Sequence, residues 1–213
     1  ADAKAYKRKY KDAGIKPAKT DLFLESLQDV IQGTKPVYVT ASSQSDIEEA
    51  VKFGSANKLT VVIKGGKEAD KAAATLNKAG VPVIFTESWG MAVGSDNYDK
   101  QFAAPKRLYD AGVKFCIAHE EGINLPQIAA NAVAFGLPKE EALKAITLYP
   151  AQILGVGADL GSIEKGKIAD LLLTDGDPMD YHTKIKRIFV GGVDTPIVSR
   201  HSQLYNEYKK KTK

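Results

Sequence analysis

Cysteine is almost absent from this chain of 213 residues: Cys116 is the only one, so no disulfide can form within it. Cys116 lies in the apolar run 113–118, where a lone thiol reads as a small buried hydrophobe. Long apolar runs are also missing. None approaches the roughly 20 residues that a membrane-spanning helix requires, and no membrane partner is expected. Residues 1–13 are charged and contain no apolar stretch, so no signal peptide is expected there. Neither charge sign dominates, because 30 Lys and Arg against 26 Asp and Glu leave a net charge of +4. The tight lysine run (Lys209, Lys210, Lys211, Lys213) stands at the end and reads as a solvated tail. A basic face with interleaved aromatics does not recur along the chain, so no nucleic-acid partner is expected. Histidine is scarce too, with only His119, His182 and His201, and no Ser/His/Asp arrangement stands out.

What is present is ordinary globular composition, 44% apolar and 26% charged, in a length that supports a hydrophobic core. Helices are expected over 1–13 and 20–32, the second starting near Asp21 and stopping at Gly33. Apolar strands over 36–41, 59–63, 81–85 and 113–118 then alternate with amphipathic helices. Those helices cover 46–55 (capped at Ser45-Asp46), 67–79, 98–111, 125–135 and 139–147. Strands apolar throughout, separated by helices, imply a parallel sheet in an α/β fold. After Leu148 the rhythm stops. Short segments at 160–163, 170–174 and 184–190, broken by glycines, suggest a small β appendage, and a last helix is expected over 202–211. A fourfold β/α run fits either an open flavodoxin-like sheet or half of a (β/α)₈ barrel, and periodicity does not choose between them.

The segment 136–178 carries a resemblance. It contains Glu141-Ala142-Leu143, Thr147, Pro150-Ala151 and Ile153-Leu154-Gly155. There follow Gly161-Ser162-Ile163-Glu164, Gly166-Lys167, Ala169-Asp170-Leu171 and Asp175-Gly176-Asp177-Pro178. This string is similar to the ending shared by imidazolonepropionase-like and related amidohydrolases. The resemblance implies a partial (β/α)₈ TIM barrel, strands 5–8 with their helices, plus part of a small C-terminal β domain. Residues 1–150 would form half of a metal-dependent-hydrolase-like barrel, and residues 151–213 the composite β segment and tail helix. It further implies hydrolysis of non-peptide or cyclic amide C–N bonds of a small-molecule substrate. A divalent metal such as Zn²⁺ would polarise the carbonyl and supply hydroxide in the complete protein. The missing arc of strands would come from an N-terminal barrel segment or from another copy of the chain.

The family pattern places His-x-His on strand 1, Lys or Glu on strand 4, histidines on strands 5 and 6, and Asp on strand 8. No His-x-His occurs here. Thr40 (or Ala41, Ser42) stands at the strand 5 position, Lys64-Gly65-Gly66 at the strand 6 position, and His119-Glu120-Glu121 at the strand 8 position. The ligand positions are therefore degenerate, and no tightly bound metal is expected on this chain alone. A catalytically inactive binding or scaffold protein on the same fold is the alternative.

Individual residues follow from their places after the strands. His119, Glu120 and Glu121 are the catalytic candidates, with His119 also the candidate metal ligand, since imidazole beside carboxylates can ligate or exchange protons. The competing reading is a polar loop that caps the next helix. Thr40, Ser42, Glu87 and Trp89 are substrate-binding candidates at the ends of the first and third strands. Lys64-Gly65-Gly66-Lys67 could cradle an anion at a helix N-terminus, though a plain βα turn is the better reading. His182 and His201 are expected at the surface.

Overall fold

The computed structural model describes residues 2–17, 19–90, 94 and 96–211. The chain opens with α1 (Asp2–Tyr6), which runs into a π-helical turn at Lys7–Lys11, then α2 (Leu22–Ser26) and α3 (Gln28–Ile31). The single helix expected over 20–32 is thus two helices, divided at Leu27. The Asp21 carboxylate caps α2 by accepting the N–H groups of Phe23 and Leu24 at 3.1 and 3.0 Å, satisfying donors that have no partner inside the helix.

The β/α rhythm follows. It comprises β1 (Val37–Ala41), α4 (Gln44–Asn57), β2 (Val61–Gly65), α5 (Ala73–Ala79) and β3 (Val83–Phe85). After these come α6 (Ala104–Asp110), β4 (Phe115–Ile117), α7 (Leu125–Ala134) and α8 (Lys139–Ile146). Ser43, not Ser45, caps α4: its Oγ accepts the Asp46 N–H at 3.2 Å. The helices expected from 67 and 98 begin only at Ala73 and Ala104, and the described residues ahead of them are mostly in turns. Side-chain bonds described below, among them those of Arg107 on α6 to Asp70 and to the Lys100 carbonyl, hold these turns, and periodicity does not register such long-range partners. A further helix, α9 (Leu148–Ile153), stands where only an apolar turn was expected. Its Pro150 falls in the first helical turn, where a missing N–H costs nothing.

Strands β1 to β4 are parallel and lie side by side in chain order. A flavodoxin-like sheet begins at an inner strand and reverses direction at a switch point. No reversal exists here, so that alternative is set aside. Alternation along each strand sorts the side chains into two faces. Val39, Ala41, Ile63, Val83, Phe85, Phe115 and Ile117 belong to the main core together with residues of α4 to α8. Val62, Ile84 and Cys116 lie on the opposite face, where Ile153 and Tyr149 of α9 cover them. That cover is partial. Toward β1 the same face carries Tyr38, Thr40 and Lys64, all exposed.

A second, antiparallel sheet contains β5 (Leu171–Thr174), β6 (Ile185–Val190) and β7 (Val193–Thr195) in that order. Residues 160–163, expected as a strand, form a bend and irregular chain instead. β7 was not anticipated, although Gly191-Gly192 marks it: both glycines have positive φ (57° and 80°), as a two-residue hairpin turn requires. Leu172, Leu173, Ile185, Val190 and Val193 of this sheet are 44–68% exposed. The stretch between β5 and β6 is anchored to the main core by buried Met179 and by a Lys139–Asp177 ion pair of 2.6 Å. The chain ends in α10 (Arg200–Lys211), and the side chains of Lys210, Lys211 and Lys213 lie outside the described residues. No helix among the described residues is long and apolar enough to cross a membrane.

Cys116 is 2% exposed, and burial pushes its thiol up to about 12 from an ordinary value of 9.0. Only the thiolate is nucleophilic, so near pH 8 the native chain should react with a thiol reagent roughly a thousandfold more slowly than the unfolded chain. Labelling rates with and without denaturant test this. Equal rates would mean that β4 is not enclosed.

Candidate functional site

Parallel pairing aligns the C-terminal strand ends in rows. Ala41, Gly65, Phe85 and Ile117 form one row, and Thr40, Lys64, Ile84 and Cys116 the row before it. The backbone continues the alignment one step further, because Ala118 donates to the Phe85 carbonyl at 2.9 Å and Gly66 to that of Ala41 at 2.8 Å. Thr86, Glu87, Ala118 and His119 therefore emerge at the same end of the sheet as Thr40 and Ser42. This is the end at which βα loops carry function in parallel α/β proteins.

His119 sits two residues beyond β4 and is half-buried. The Trp89 ring packs beside it, centroids 6.0 Å apart and tilted by 49°, so two candidate residues from different strands meet. Nδ1 of His119 accepts the Glu121 N–H at 3.1 Å and lies 3.2 Å from the Glu121 carbonyl oxygen. Whichever tautomer forms, Nδ1 has a local partner, which leaves Nε2 to meet a ligand. The Glu121 carboxylate accepts from Asn124 Nδ2 at 3.0 Å and so belongs to the short 3₁₀ turn Gly122–Asn124. The loop-capping reading thus fits Glu121. Glu120 is exposed. Glu87 is half-buried, and the Thr86 hydroxyl donates to it at 3.4 Å. Part of the loop that follows, residues 91–93 and 95, lies outside the described residues.

Thr40 and Ser42 are both exposed and share a face of β1 and its continuation. His182 and His201 are exposed and remote from this end in the chain, and His182 Nδ1 contacts Asp180 Oδ1 at 3.1 Å. The Gly65-Gly66 turn leads into further turns rather than a helix, since α5 starts only at Ala73. A cradle at a helix N-terminus is therefore absent there, and the plain turn is what the structure has.

A charged network unseen in the sequence braces the strand ends. Glu68 accepts the Gln44 N–H at 3.0 Å and pairs with Lys71 at 2.7 Å, and Lys100 pairs with Asp96 at 2.7 Å. Arg107 Nε donates to Asp70 Oδ2 at 2.7 Å, and a second guanidinium nitrogen donates to the Lys100 carbonyl. The loops after β1, β2 and β3 are thereby joined to one another and to α6. The Lys71 ammonium and the Gln44 N–H hold the Glu68 carboxyl below the usual carboxylate range, as Lys100 does for Asp96. No local pattern announces the Glu68–Gln44 and Arg107–Asp70 bonds, which join residues 24 and 37 positions apart.

As a metal centre the set is incomplete. Among the described residues no three His, Cys, Asp or Glu side chains are grouped to hold an ion. Lys64, in the row beneath the strand ends, adds a positive charge that opposes a cation.

A model of the amidohydrolase family matches residues 24–200. Among solved structures, the amidohydrolase from Thermotoga maritima MSB8 superposes with a TM-score of 0.83 at 27% identity, covering 93% of this chain and 53% of that one. Among curated proteins, amidohydrolase tasK of Hapsidospora irregularis is 29% identical over 84% of this chain and 19% of its own length. The N-substituted formamide deformylase of Arthrobacter pascens is 32% identical over 61% of this chain and 28% of its own. The chain thus spans between about a fifth and about half of the length of these relatives.

Proposed function

We propose that this chain, which belongs to the amidohydrolase family, is the C-terminal portion of a hydrolase acting on non-peptide or cyclic amide C–N bonds. The observation that carries the reading is the family match over residues 24–200, which takes in both sheets. Several features support a partial barrel over 1–150 and a composite β segment over 151–213. The four strands follow chain order, as successive barrel strands do. One face of the sheet is open toward β1, and four strands cannot close a barrel. The apolar residues left exposed on β5 to β7 suit a sheet that packs against further strands. The natural complement is an N-terminal segment carrying the remaining strands, or failing that a second copy of the chain.

In this reading His119 is the proton-transfer group, with Glu120 beside it. Trp89 and Glu87 line the substrate from β3, and Thr40 and Ser42 line it from β1. Family members generally use a divalent metal such as Zn²⁺. The residues here do not form a site for one by themselves, so any such ion in the complete protein would depend on donors from outside these strands, with His119 as a single contribution. The test is turnover of cyclic imides, N-acyl amino acids and dipeptides by the complete polypeptide, with and without Zn²⁺. The 213 residues alone should show little activity. His119→Ala in the complete protein should lower kcat/KM by about 10²–10⁴-fold, and an unchanged rate would remove His119 from the chemistry.

A second reading, an inactive binding or scaffold protein, is favoured by the lack of a three-donor cluster among the described residues. Stoichiometric Zn²⁺ in the complete protein would count against it.

A further inference from the structure

Lys64 is the single charged side chain on the otherwise apolar β2, and it lies on the sheet face opposite the main core. Register puts it directly beside Thr40 of β1 and Ile84 of β3. Among the described residues it forms no ion pair or hydrogen bond, even though carboxylates emerge nearby at the end of β3 and after β4. Thr40 and, one alternation further along, Ser42 present exposed hydroxyls on the same face. An ammonium with two hydroxyls is a set rich in donors and carries a net positive charge. Beside it lie Val62, Ile84 and Cys116, an apolar floor with no competing acceptor. Across the strand ends the chemistry changes, to the carboxylate of Glu87 and the imidazole of His119.

We propose that the β1–β2 end of this site is a carboxylate subsite, in which Lys64, assisted by Thr40 and Ser42, binds the carboxylate of an amide substrate such as an N-acyl amino acid. The substrate class rests on the hydrolase reading above; the binding does not. Lys64 is exposed and has no ion-pair partner among the described residues, and a charge-assisted bond to a substrate carboxylate supplies the counter-charge that the protein does not. Held at β1–β2, a substrate would extend its amide across the sheet toward His119 and Trp89. Lys64 is thus a specificity residue, one that selects an anion at a position where a metal-binding site would need a donor.

The experiment follows the Lys64 side-chain NMR resonance in the 213-residue chain, titrated with N-acetylalanine and separately with N-acetylalanine amide. The resonance is assigned by its loss in Lys64→Met, with Lys64→Arg as a second variant that retains the charge. A saturable shift of the Lys64 resonance with the acid, at least tenfold weaker with the amide, is expected, together with shifts of the Thr40 and Ser42 backbone amides that persist in Lys64→Arg and vanish in Lys64→Met. A resonance that neither compound moves, or that both move alike, would overturn the subsite. Turnover of the same two compounds by the complete polypeptide is measured separately. A carboxylate-selective shift without turnover of these compounds, or of the cyclic imides and dipeptides named above, would retain the subsite and reject the hydrolase reading.

Discussion

Phe85→Ala should lower the unfolding free energy by about 3–5 kcal/mol, the usual cost of deleting a fully enclosed aromatic side chain. Phe85 is the last residue of β3, is 0% exposed, and belongs to the main core. It also stands in the row with Gly65 and Ile117, directly before Thr86 and Glu87. Its ring therefore packs the core and supports the strand end from which the β3 candidates emerge. Domains are stable by only about 5–15 kcal/mol in total, so the loss is a large share of what is available. Urea unfolding followed by circular dichroism measures the change. A difference under about 1 kcal/mol would mean that the end of β3 is not packed as described.

The second large effect concerns Gly161. Its φ is +93°, and a Cβ placed there would lie 2.7 Å from Ala151 Cβ, 2.9 Å from the Thr147 carbonyl oxygen and 3.0 Å from Leu148 Cα. Both the backbone conformation and the space exclude a side chain, and two of the three obstacles are main-chain atoms that cannot rotate aside. Gly161→Ala should cost about 2–5 kcal/mol, combining backbone strain with overpacking against α9. Gly166 supplies the control. Its φ is +97°, but a Cβ at that position would meet no atom within 4 Å, so Gly166→Ala should cost only the conformational part, about 1–2 kcal/mol. Thermal unfolding of both variants separates the contributions. Equal losses would show that the approach of Gly161 to α9 contributes nothing.

Those two glycines lie within the motif by which the family is legible in the sequence, and their roles differ. Gly161 is where the turn after α9 presses back on that helix. Gly166 closes an exposed turn ahead of β5. The motif is thus a piece of scaffold that joins the two sheets, which explains how it identifies the family while holding none of the candidate catalytic residues.

The strands and most of the helices could be read from sequence because each is a local pattern. Runs such as Val61-Val62-Ile63 are apolar throughout since both sheet faces are covered there, and Ser43 and Asp46 form a cap within one turn. Lys64 stood out in the sequence only as part of the Lys64-Gly65-Gly66-Lys67 turn, since it follows the expected strand 59–63. The late starts of α5 and α6 could not be read this way, because Glu68, Asp70 and Arg107 hold the preceding turns through partners on other elements. Nor could the meeting of Trp89 with His119, 30 positions apart in the chain, which depends on β3 and β4 being neighbours in register.

By itself the sequence determined the α/β class, the positions of four apolar strands and membership of a family, all of which depend on residue spacing along one stretch of chain. The tertiary structure alone decided the strand order, which face of the sheet stays open, and that Lys64 shares that face with Thr40. The physical reason is that pairing and register are contacts between distant segments, and no local periodicity encodes which distant segment a strand will meet.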